Sequence, residues 1–246
     1  MSIFDGSQKE IGRGAQAVVY SYRGYAYKVY KDSYPLEYIR GEYLIQNEIN
    51  QTDLPVVRYY KTDEAHVIRM DLIDGITLAD RMKNDYCEQG ISDMIQLQKK
   101  ILTYTNENLP TFCSGAMEQL ERMSLSADRK ELVLHILKSI PERRNLLHLD
   151  LHFLNIMYAE NQYYIIDWVN ARTGNPIYDY ARSYVILQEI SEELSNLYLK
   201  LLTDDSSIDL SYFHKAVYVM AVLRTCEHQS DRTDKLIVQM EKKITG

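Results

Sequence analysis

The chain has 246 residues, of which 46% are hydrophobic and 26% are charged. These values are ordinary for a globular protein, so they exclude disordered and fibrous classes, and the length allows one or two domains with a sizeable core. The net charge of −7 argues against nucleic acid as a partner, because binding to its phosphates needs a basic surface.

The sequence also carries information about the compartment. Its first residues lack the basic start and apolar core of a signal peptide, and its longest apolar run, residues 216–223, is too short to span a bilayer. The three cysteines have no paired spacing, as expected in a reducing compartment. We therefore expect a cytoplasmic protein that has no membrane partner. The oligomeric state stays open.

The first part of the chain predicts short β-strands joined by turns over residues 1–31, with a hairpin turn at Arg23–Gly24. Ser33 or Asp32, placed ahead of a proline, predicts the start of a helix that runs from Leu36 to about Ile49. Strand-like runs follow at 56–61 and 66–73. We expect these elements to form one β-rich lobe.

The rest of the chain predicts mostly helices. Ser92 predicts the start of one helix, and Asp128 with Glu131 predicts the start of another, which Pro141 ends. Amphipathic runs follow at about 178–202, 209–225 and 230–244. The expected fold is α+β and bilobal, with a small β-rich N-lobe over residues 1–73, a hinge at 70–75, and a larger, mostly helical C-lobe over residues 74–246.

The strongest chemical signal is the segment HLDLHFLN at residues 148–155, which is followed by Asp167 at the end of an apolar run. In phosphoryl transfer a loop Asp can accept the proton of the acceptor hydroxyl, which is the role we expect for Asp150. Asn155 and Asp167 offer the hard oxygen ligands that Mg²⁺ prefers. The pattern therefore predicts a catalytic carboxylate beside a metal site.

The N-terminal part supplies groups for binding phosphate. Gly12 and Gly14 would let a backbone approach phosphates closely, because glycine has no Cβ. Lys28 lies on the next β-rich run, where its ammonium could reach toward the same phosphates. Glu42, on the predicted helix, is the best candidate to pair with Lys28 and to orient it, with Glu48 in reserve.

These motifs, in this order, resemble those of the protein-kinase-like superfamily in its aminoglycoside phosphotransferase and choline kinase branch. Gly12-x-Gly14-x-x-Ala17 resembles the glycine loop, with Ala17 in place of the third glycine. Residues 148–155 resemble the catalytic loop of that branch, and Asp167 fills the place of the metal-binding Asp. The resemblance implies the bilobal protein-kinase-like fold, with ATP and Mg²⁺ as cofactors.

The resemblance also implies roles for further residues. The backbone at Asp71 and Ile73 in the hinge would bind the adenine edge. Asp179 and Arg182, in a segment that resembles the one after the metal-binding Asp, are expected to brace the catalytic loop and not to touch substrate. His152 is either structural or near the γ-phosphate.

The function expected is that of an ATP-dependent small-molecule kinase that phosphorylates an alcohol group. Few residues separate Asp167 from Asp179, and the peptide-presenting segment of protein kinases is missing, so the acceptor is expected to be a small molecule. An aminoglycoside, an amino alcohol, a sugar or a nucleoside would fit, and the acidic second part of the chain would suit a cationic acceptor. ATP versus GTP stays open.

Two alternatives remain beside the kinase. If His148, Asp150 and His152 alternated along a strand, they would share one face and could hold Zn²⁺ or Fe, as in a metal-dependent hydrolase. That reading would leave Gly12, Gly14 and Lys28 without a role. The chain could also be a nucleotide-binding pseudoenzyme that serves as a scaffold, although no expected catalytic group is missing.

Overall fold

The structure is a computed structural model that describes residues 3–83, 87–205 and 208–245. Its strands are β1 Lys9–Arg13, β2 Ala17–Tyr22, β3 Tyr25–Tyr30, β4 Tyr59–Tyr60, β5 Val67–Asp71, β6 Ile76–Thr77, β7 Asn145–Leu147, β8 Ile156–Ala159, β9 Gln162–Ile165 and β10 Arg172–Gly174. Its helices are α1 Leu36–Ile49, α2 Leu78–Arg81, α3 Cys87–Ile101, α4 Phe112–Arg122, α5 Ala127–Ser139, α6 Pro176–Ile190, α7 Glu192–Asp205, α8 Leu210–Arg224 and α9 Asp231–Thr245.

The fold is α+β, with a small antiparallel-sheet lobe and a helical lobe, as the sequence predicts. Contacts divide the described chain into two compact units. The first comprises the residues up to Leu78 together with Leu154–Val169, and the second comprises Ala79–Phe153 together with the residues from Asn170 onward. The predicted division into residues 1–73 and 74–246 stays a prediction.

The first unit is built on an antiparallel sheet in the order β1-β2-β3-β5-β4. Its strands are rich in Tyr and Val, which favour a pleated, half-buried surface. The hairpin turn between β2 and β3 has φ of 46° at Arg23 and 79° at Gly24, the left-handed conformation that a tight turn between twisted strands needs. The predicted strands over residues 1–31 and their turn are confirmed, whereas the run predicted at 56–61 is a strand only at Tyr59–Tyr60.

Helix α1 has the bounds that the sequence predicts, but its start differs. Pro35 occupies the N-cap position, and no side chain caps the helix. The expectation that Ser33 or Asp32 begins α1 is therefore wrong. Proline suits this place because its fixed φ and missing N–H remove part of the need for a cap.

One face of the sheet carries the core of the first unit, which contains Ala17, Tyr30, Ile39, Val57, Tyr59 and Ile68. Lys28 lies on this face, because it is two residues from Tyr30 along β3 and residues two apart on a strand share a face. It pairs with Val19 of β2. The β8–β9 hairpin joins the same unit, since the Ile165 amide donates to the Pro55 carbonyl at 2.8 Å and Ile166 packs against the core. This packing fixes the residue that comes next, Asp167.

The second unit is mainly helical. Helix α8 is buried along most of its length, and α6 and α9 pack against it. The predicted run over 178–202 is two helices, because the chain becomes extended at Ser191, between α6 and α7. Among the described residues, no helix is long and apolar enough to cross a membrane.

Two predicted helix starts in this unit are wrong. Ser92 lies inside α3, because the buried stripe begins earlier, at Gly90 and Ile91, and tertiary burial extends the helix in that direction. Helix α5 is capped by Ser126, whose hydroxyl accepts the amide of Arg129 at 3.4 Å. Asp128 therefore lies in the first turn of α5.

Candidate active site

The first unit brings together three of the predicted site residues. The Lys28 ammonium lies 2.7 Å from Oε1 of Glu42 and 3.4 Å from Oδ1 of Asp167. The Glu42 side chain is 4% exposed and that of Lys28 is 17% exposed, whereas that of Asp167 is 40% exposed. The predicted Lys28–Glu42 pair is present, and Glu48 is not needed as its substitute.

Two tyrosines that the sequence analysis did not single out complete the surroundings of Glu42. The Tyr30 hydroxyl donates to Oε2 of Glu42 at 2.7 Å, and the Tyr59 hydroxyl donates to Oε1 at 3.1 Å. Hydrogen bonds to an ionised acceptor are stronger than neutral ones. Glu42 is thus a buried carboxylate with both oxygens satisfied, and it holds Lys28 from a fixed position.

Electrostatics favour the charged form of Lys28. Burial lowers the pKa of the Lys28 ammonium, but the attraction of Asp167 and Glu42 outweighs it and raises the pKa above its ordinary value. The pKa of Tyr30 is raised by burial and by the neighbouring Glu42 carboxylate, and the pKa of Tyr59 is raised by the same two causes. The cluster therefore consists of one fixed cation, its carboxylates and two neutral phenols.

The β8–β9 hairpin positions the two predicted metal ligands. Ile156 pairs with Ile165, so Asn155 comes just before β8 and Asp167 just after β9. The Ile166 amide donates to the Asn155 carbonyl at 3.0 Å, which continues the ladder toward Asp167. Asp167 has a φ of 63°, a left-handed conformation that turns the chain away from the direction of β9.

The glycine segment covers the end of β1, where Gly12 lies, and the turn to β2, where Gly14 lies. The Gly14 amide donates to the Ala17 carbonyl at 2.9 Å, which closes a tight loop. A Cβ at Gly12 or Gly14 would lie 3.7 Å from its nearest neighbour, which is ordinary van der Waals contact, and neither residue has a left-handed φ. The packing and backbone of the first unit thus do not require glycine at either position.

The predicted hinge residues have contacts of their own. The Asp71 carboxylate accepts the Arg58 amide and the Tyr60 hydroxyl, both at 2.9 Å. The Asp71 amide donates to the Arg58 carbonyl at 3.1 Å, and Ile73 packs against the core of the first unit. The adenine-binding role of the backbone at Asp71 and Ile73 stays a prediction.

The second unit holds the predicted catalytic Asp150. It lies in the loop after β7, and its side chain is about one-fifth exposed. The Asp150 amide donates to Nδ1 of His148, whose side chain is fully buried. His148 is therefore a structural support of the loop.

Helix α6 fixes the backbone of this loop. Oδ1 of Asp179 accepts the Leu149 amide at 2.7 Å, and Nε of Arg182 donates to the Leu149 carbonyl at 3.1 Å. The hydroxyl of Ser183 donates to the Leu151 carbonyl at 2.9 Å. The bracing role predicted for Asp179 and Arg182 is confirmed.

These contacts hold an unusual backbone conformation. Leu149 has φ of 60°, which costs energy for a residue with a side chain and persists only where neighbours enforce it. Burial raises the pKa of the Asp179 carboxyl, and its hydrogen bonds, among them those from the Leu149 amide and the Gln98 side chain, act in the opposite direction. Gln98 donates to Oδ2 of Asp179 at 2.7 Å, a contact that no sequence motif announced.

The premise of the metal-hydrolase alternative is wrong. Strand β7 ends at Leu147, so His148, Asp150 and His152 do not alternate along a strand. Nε2 of His152 lies 4.0 Å from Oδ2 of Asp150. Within the described parts of the chain, no group of three His, Cys, Asp or Glu residues is placed to hold a metal ion.

Several solved structures share the fold of this chain. A choline/ethanolamine kinase family protein from Mesorhizobium loti aligns with a TM-score of 0.64 and 9% identity, over 100% of this chain and 90% of that one. The choline kinase LicA from Streptococcus pneumoniae gives 0.62 and 12%, over 97% and 92%. A thermostable mutant of the aminoglycoside phosphotransferase APH(4)-Ia gives 0.64 and 14%, over 96% and 93%.

Comparison of the sequence with protein families assigns the chain more specifically than its fold does. The profile of the phosphotransferase enzyme family, APH, matches residues 8–207, which include all the predicted site residues. The chain belongs to this family and is a phosphotransferase that acts on hydroxyl groups. No curated protein matches it significantly.

Proposed function

We propose that the protein is an ATP-dependent, Mg²⁺-requiring kinase that transfers the γ-phosphate to a hydroxyl of a small molecule. The observation that carries the proposal is the Lys28 ammonium, fixed at 2.7 Å from the buried Glu42 and at 3.4 Å from the half-exposed Asp167. An ammonium oriented in this way can bind phosphate oxygens as a point charge. Glu42, held by Tyr30 and Tyr59, would keep it in place.

The glycine segment supports the same role. Glycine loses more conformational freedom on folding than other residues, roughly 0.5–1 kcal/mol relative to Ala in regular structure. Gly12, in β1, carries this cost, and neither the backbone angles nor the packing within the first unit require glycine at Gly12 or Gly14. A phosphate group that approaches the backbone closely gives them a reason.

The residues present fit Mg²⁺. This ion is usually held by one or two carboxylates, substrate phosphates and water, and not by a cage of protein ligands. Asp167 provides a carboxylate and Asn155 an amide oxygen, and the β8–β9 register sets both residues at the same end of the hairpin. When bound, Mg²⁺ would supply charge neutralisation on the phosphates.

Asp150 is the proposed acceptor of the hydroxyl proton. Its loop is fixed from α6 through the backbone of Leu149 and Leu151, so the backbone on both sides of Asp150 is held in place. Preorganised positioning of this kind is the main contribution of a protein to phosphoryl transfer. His152 would help to orient Asp150.

The ligands of related structures support the nucleotide and the class of acceptor. LicA has been solved with AMP, and APH(4)-Ia with ADP and hygromycin B. APH(2")-IIa has been solved with streptomycin and ATP. We propose by analogy that this chain binds an adenine nucleotide through the hinge backbone at Asp71 and Ile73.

The experiment is transfer of labelled γ-phosphate from ATP into a panel of aminoglycosides, amino alcohols, sugars and hydroxy acids. A labelled product that requires Mg²⁺ is expected, and Asp167→Asn should abolish it. An exposed acidic residue in the same unit, changed in Glu37→Gln, serves as the matched control and should retain activity. Product formation that survives chelation of Mg²⁺ or the Asp167→Asn change would contradict the proposal.

A further inference from the structure

The second unit contains a cavity of about 140 Å³ that borders the catalytic loop. Part of its lining is apolar and includes Phe112, Leu149 and Met220, and another part carries the charged groups of Arg172, Arg182 and Glu227. Leu149 directly precedes Asp150 in the chain. The volume is about ten times the roughly 10–15 Å³ that one water molecule needs, so a small organic group fits.

Two of the three charged groups, those of Arg182 and Glu227, form an ion pair with each other. Nη2 of Arg182 donates to Oε2 of Glu227, and Nη1 of Arg224 donates to the same oxygen at 2.8 Å. Arg182 also donates to the Leu149 carbonyl. Glu227, the one carboxylate among the described lining residues, is therefore used by two guanidiniums.

Arg172 is the charged group that remains. Its side chain is half-buried, and its Nη1 donates to the Ala171 carbonyl at 2.8 Å. Within the described residues, no carboxylate lies within ion-pair distance of it. Burial lowers the pKa of Arg172, and a weaker attraction to Glu118 opposes this. A partly desolvated guanidinium is stabilised by an anion that supplies the missing partner.

The helix beside Arg172 leaves room for such a partner. Gly115 of α4 lines the cavity, and a Cβ there would lie 4.0 Å from Nε of Arg172. Any longer side chain at position 115 would occupy space beside the guanidinium. A planar, bidentate donor of this kind matches the geometry of a carboxylate or a phosphate.

We propose that this cavity binds an anionic group of the acceptor, a carboxylate or a phosphate, through Arg172. The inference rests on the proposed kinase function and names the class of its substrate. It differs from the cationic acceptor that the acidic composition of the second part of the chain favours, because the lining of the cavity contains two guanidiniums and one carboxylate. Local charge, and not net charge, decides what a small buried site accepts.

The test compares acceptors that differ in one charged group. Binding of D-glycerate and glycerol, of glucose 6-phosphate and glucose, and of choline is measured by calorimetry without nucleotide. At least one anionic compound is expected to bind about tenfold more tightly than its neutral counterpart, the size of one charge-assisted hydrogen bond. A preference for D-glycerate assigns a carboxylate, and a preference for glucose 6-phosphate assigns a phosphate.

Variants connect this preference to the cavity. Arg172→Met should abolish it, and Arg172→Lys should keep part of it. Arg122→Met, which removes the same charge from an exposed position at the end of α4, should leave it unchanged. Equal or tighter binding of choline or the neutral compounds, no binding of either anion, or a preference that survives Arg172→Met would overturn the inference.

The same samples separate this inference from the proposed function. Formation of phosphorylated product from MgATP tests the kinase, whichever acceptor is used. Product formed equally well from choline or glycerol would leave the kinase standing and overturn the anionic acceptor. Anion binding that depends on Arg172, with no product from any acceptor, would contradict the kinase and leave the anion site standing.

Discussion

Tyr30 is expected to stabilise the first unit mainly through one hydroxyl. Its OH donates a hydrogen bond to Oε2 of Glu42 at 2.7 Å. Within the described residues, this oxygen receives its hydrogen bond from Tyr30. The Glu42 side chain is 4% exposed, so water has little access to replace the bond. Tyr30→Phe would leave the ring in place and a buried carboxylate oxygen without a donor.

The expected cost follows from the geometry. A hydrogen bond to a charged group contributes about 1.5–3 kcal/mol, and we expect Tyr30→Phe to lower the free energy of unfolding by about 2 kcal/mol. Tyr59→Phe should cost about 1 kcal/mol, because Oε1 of Glu42 keeps the Lys28 ammonium at 2.7 Å and the Tyr59 bond is longer, at 3.1 Å. For a chain of this length, 2 kcal/mol corresponds to a fall in Tm of roughly 4–8 °C.

Urea unfolding followed by circular dichroism measures the difference. The matched control is Tyr38→Phe, which removes a hydroxyl from a residue of α1 that is largely exposed, and it should change stability by less than about 0.5 kcal/mol. The reasoning is refuted if Tyr30→Phe behaves like Tyr38→Phe, or if Tyr59→Phe costs more than Tyr30→Phe.

Three further predictions follow from single contacts. Because burial and Glu42 raise the pKa of Tyr30 above 10.0, its stabilising effect is complete below that pH and is lost above it. The urea-midpoint deficit of Tyr30→Phe should therefore shrink above about pH 10, and a constant deficit would contradict this. Gly14→Ala should leave the free energy of unfolding within about 1 kcal/mol of wild type and raise the Kd of MgATP about tenfold, as measured by calorimetry. An unchanged Kd would remove the close approach of phosphate at Gly14. Asp179→Asn should lower kcat about tenfold or more with little change in the KM for ATP. The two carboxylate oxygens of Asp179 accept hydrogen bonds from the Leu149 amide and the Gln98 side chain, and Asn has an NH₂ group in place of one of them. An effect on KM alone would argue against its bracing role.

The Lys28–Glu42 pair was predictable because Lys28 lies on the strand-like run that follows the glycine segment and Glu42 lies on the helix that comes next. Tyr30 and Tyr59 were not recognised, although Tyr30 stands two residues from Lys28 and so shares its face of β3. With 21 tyrosines in the chain, the residue type alone carries little information. The pairing with Glu42 becomes visible only once the sheet packs on α1.

The wrong helix starts have a common cause. Ser92 and Asp128 are good capping residues, but another nearby residue can cap the same helix, and burial of earlier residues can move the start of a helix. Ser126 caps α5 in place of Asp128. The buried residues of α3 begin before Ser92, and the helix begins before it as well. Sequence alone does not rank such competitors, because the deciding contacts are tertiary.

The loop that carries the predicted catalytic Asp150 was recognisable as a motif, but its conformation was not. The left-handed backbone at Leu149 depends on Asp179 and Arg182, which lie about 30 residues further along the chain. The left-handed conformation at Leu149 is therefore one that α6 enforces. The cavity next to Leu149 likewise needs residues from several helices and has no sequence signature.

The central claim is that this chain transfers phosphate from MgATP with Asp150 as the proton acceptor. The most direct measurement compares wild type and Asp150→Asn in one preparation, recording MgATP binding by calorimetry and transfer of labelled γ-phosphate to the best acceptor. The account predicts that the variant binds MgATP within about threefold of wild type while its transfer rate falls by about 10²–10⁴. Turnover retained in Asp150→Asn, or no MgATP binding by wild type, would contradict it.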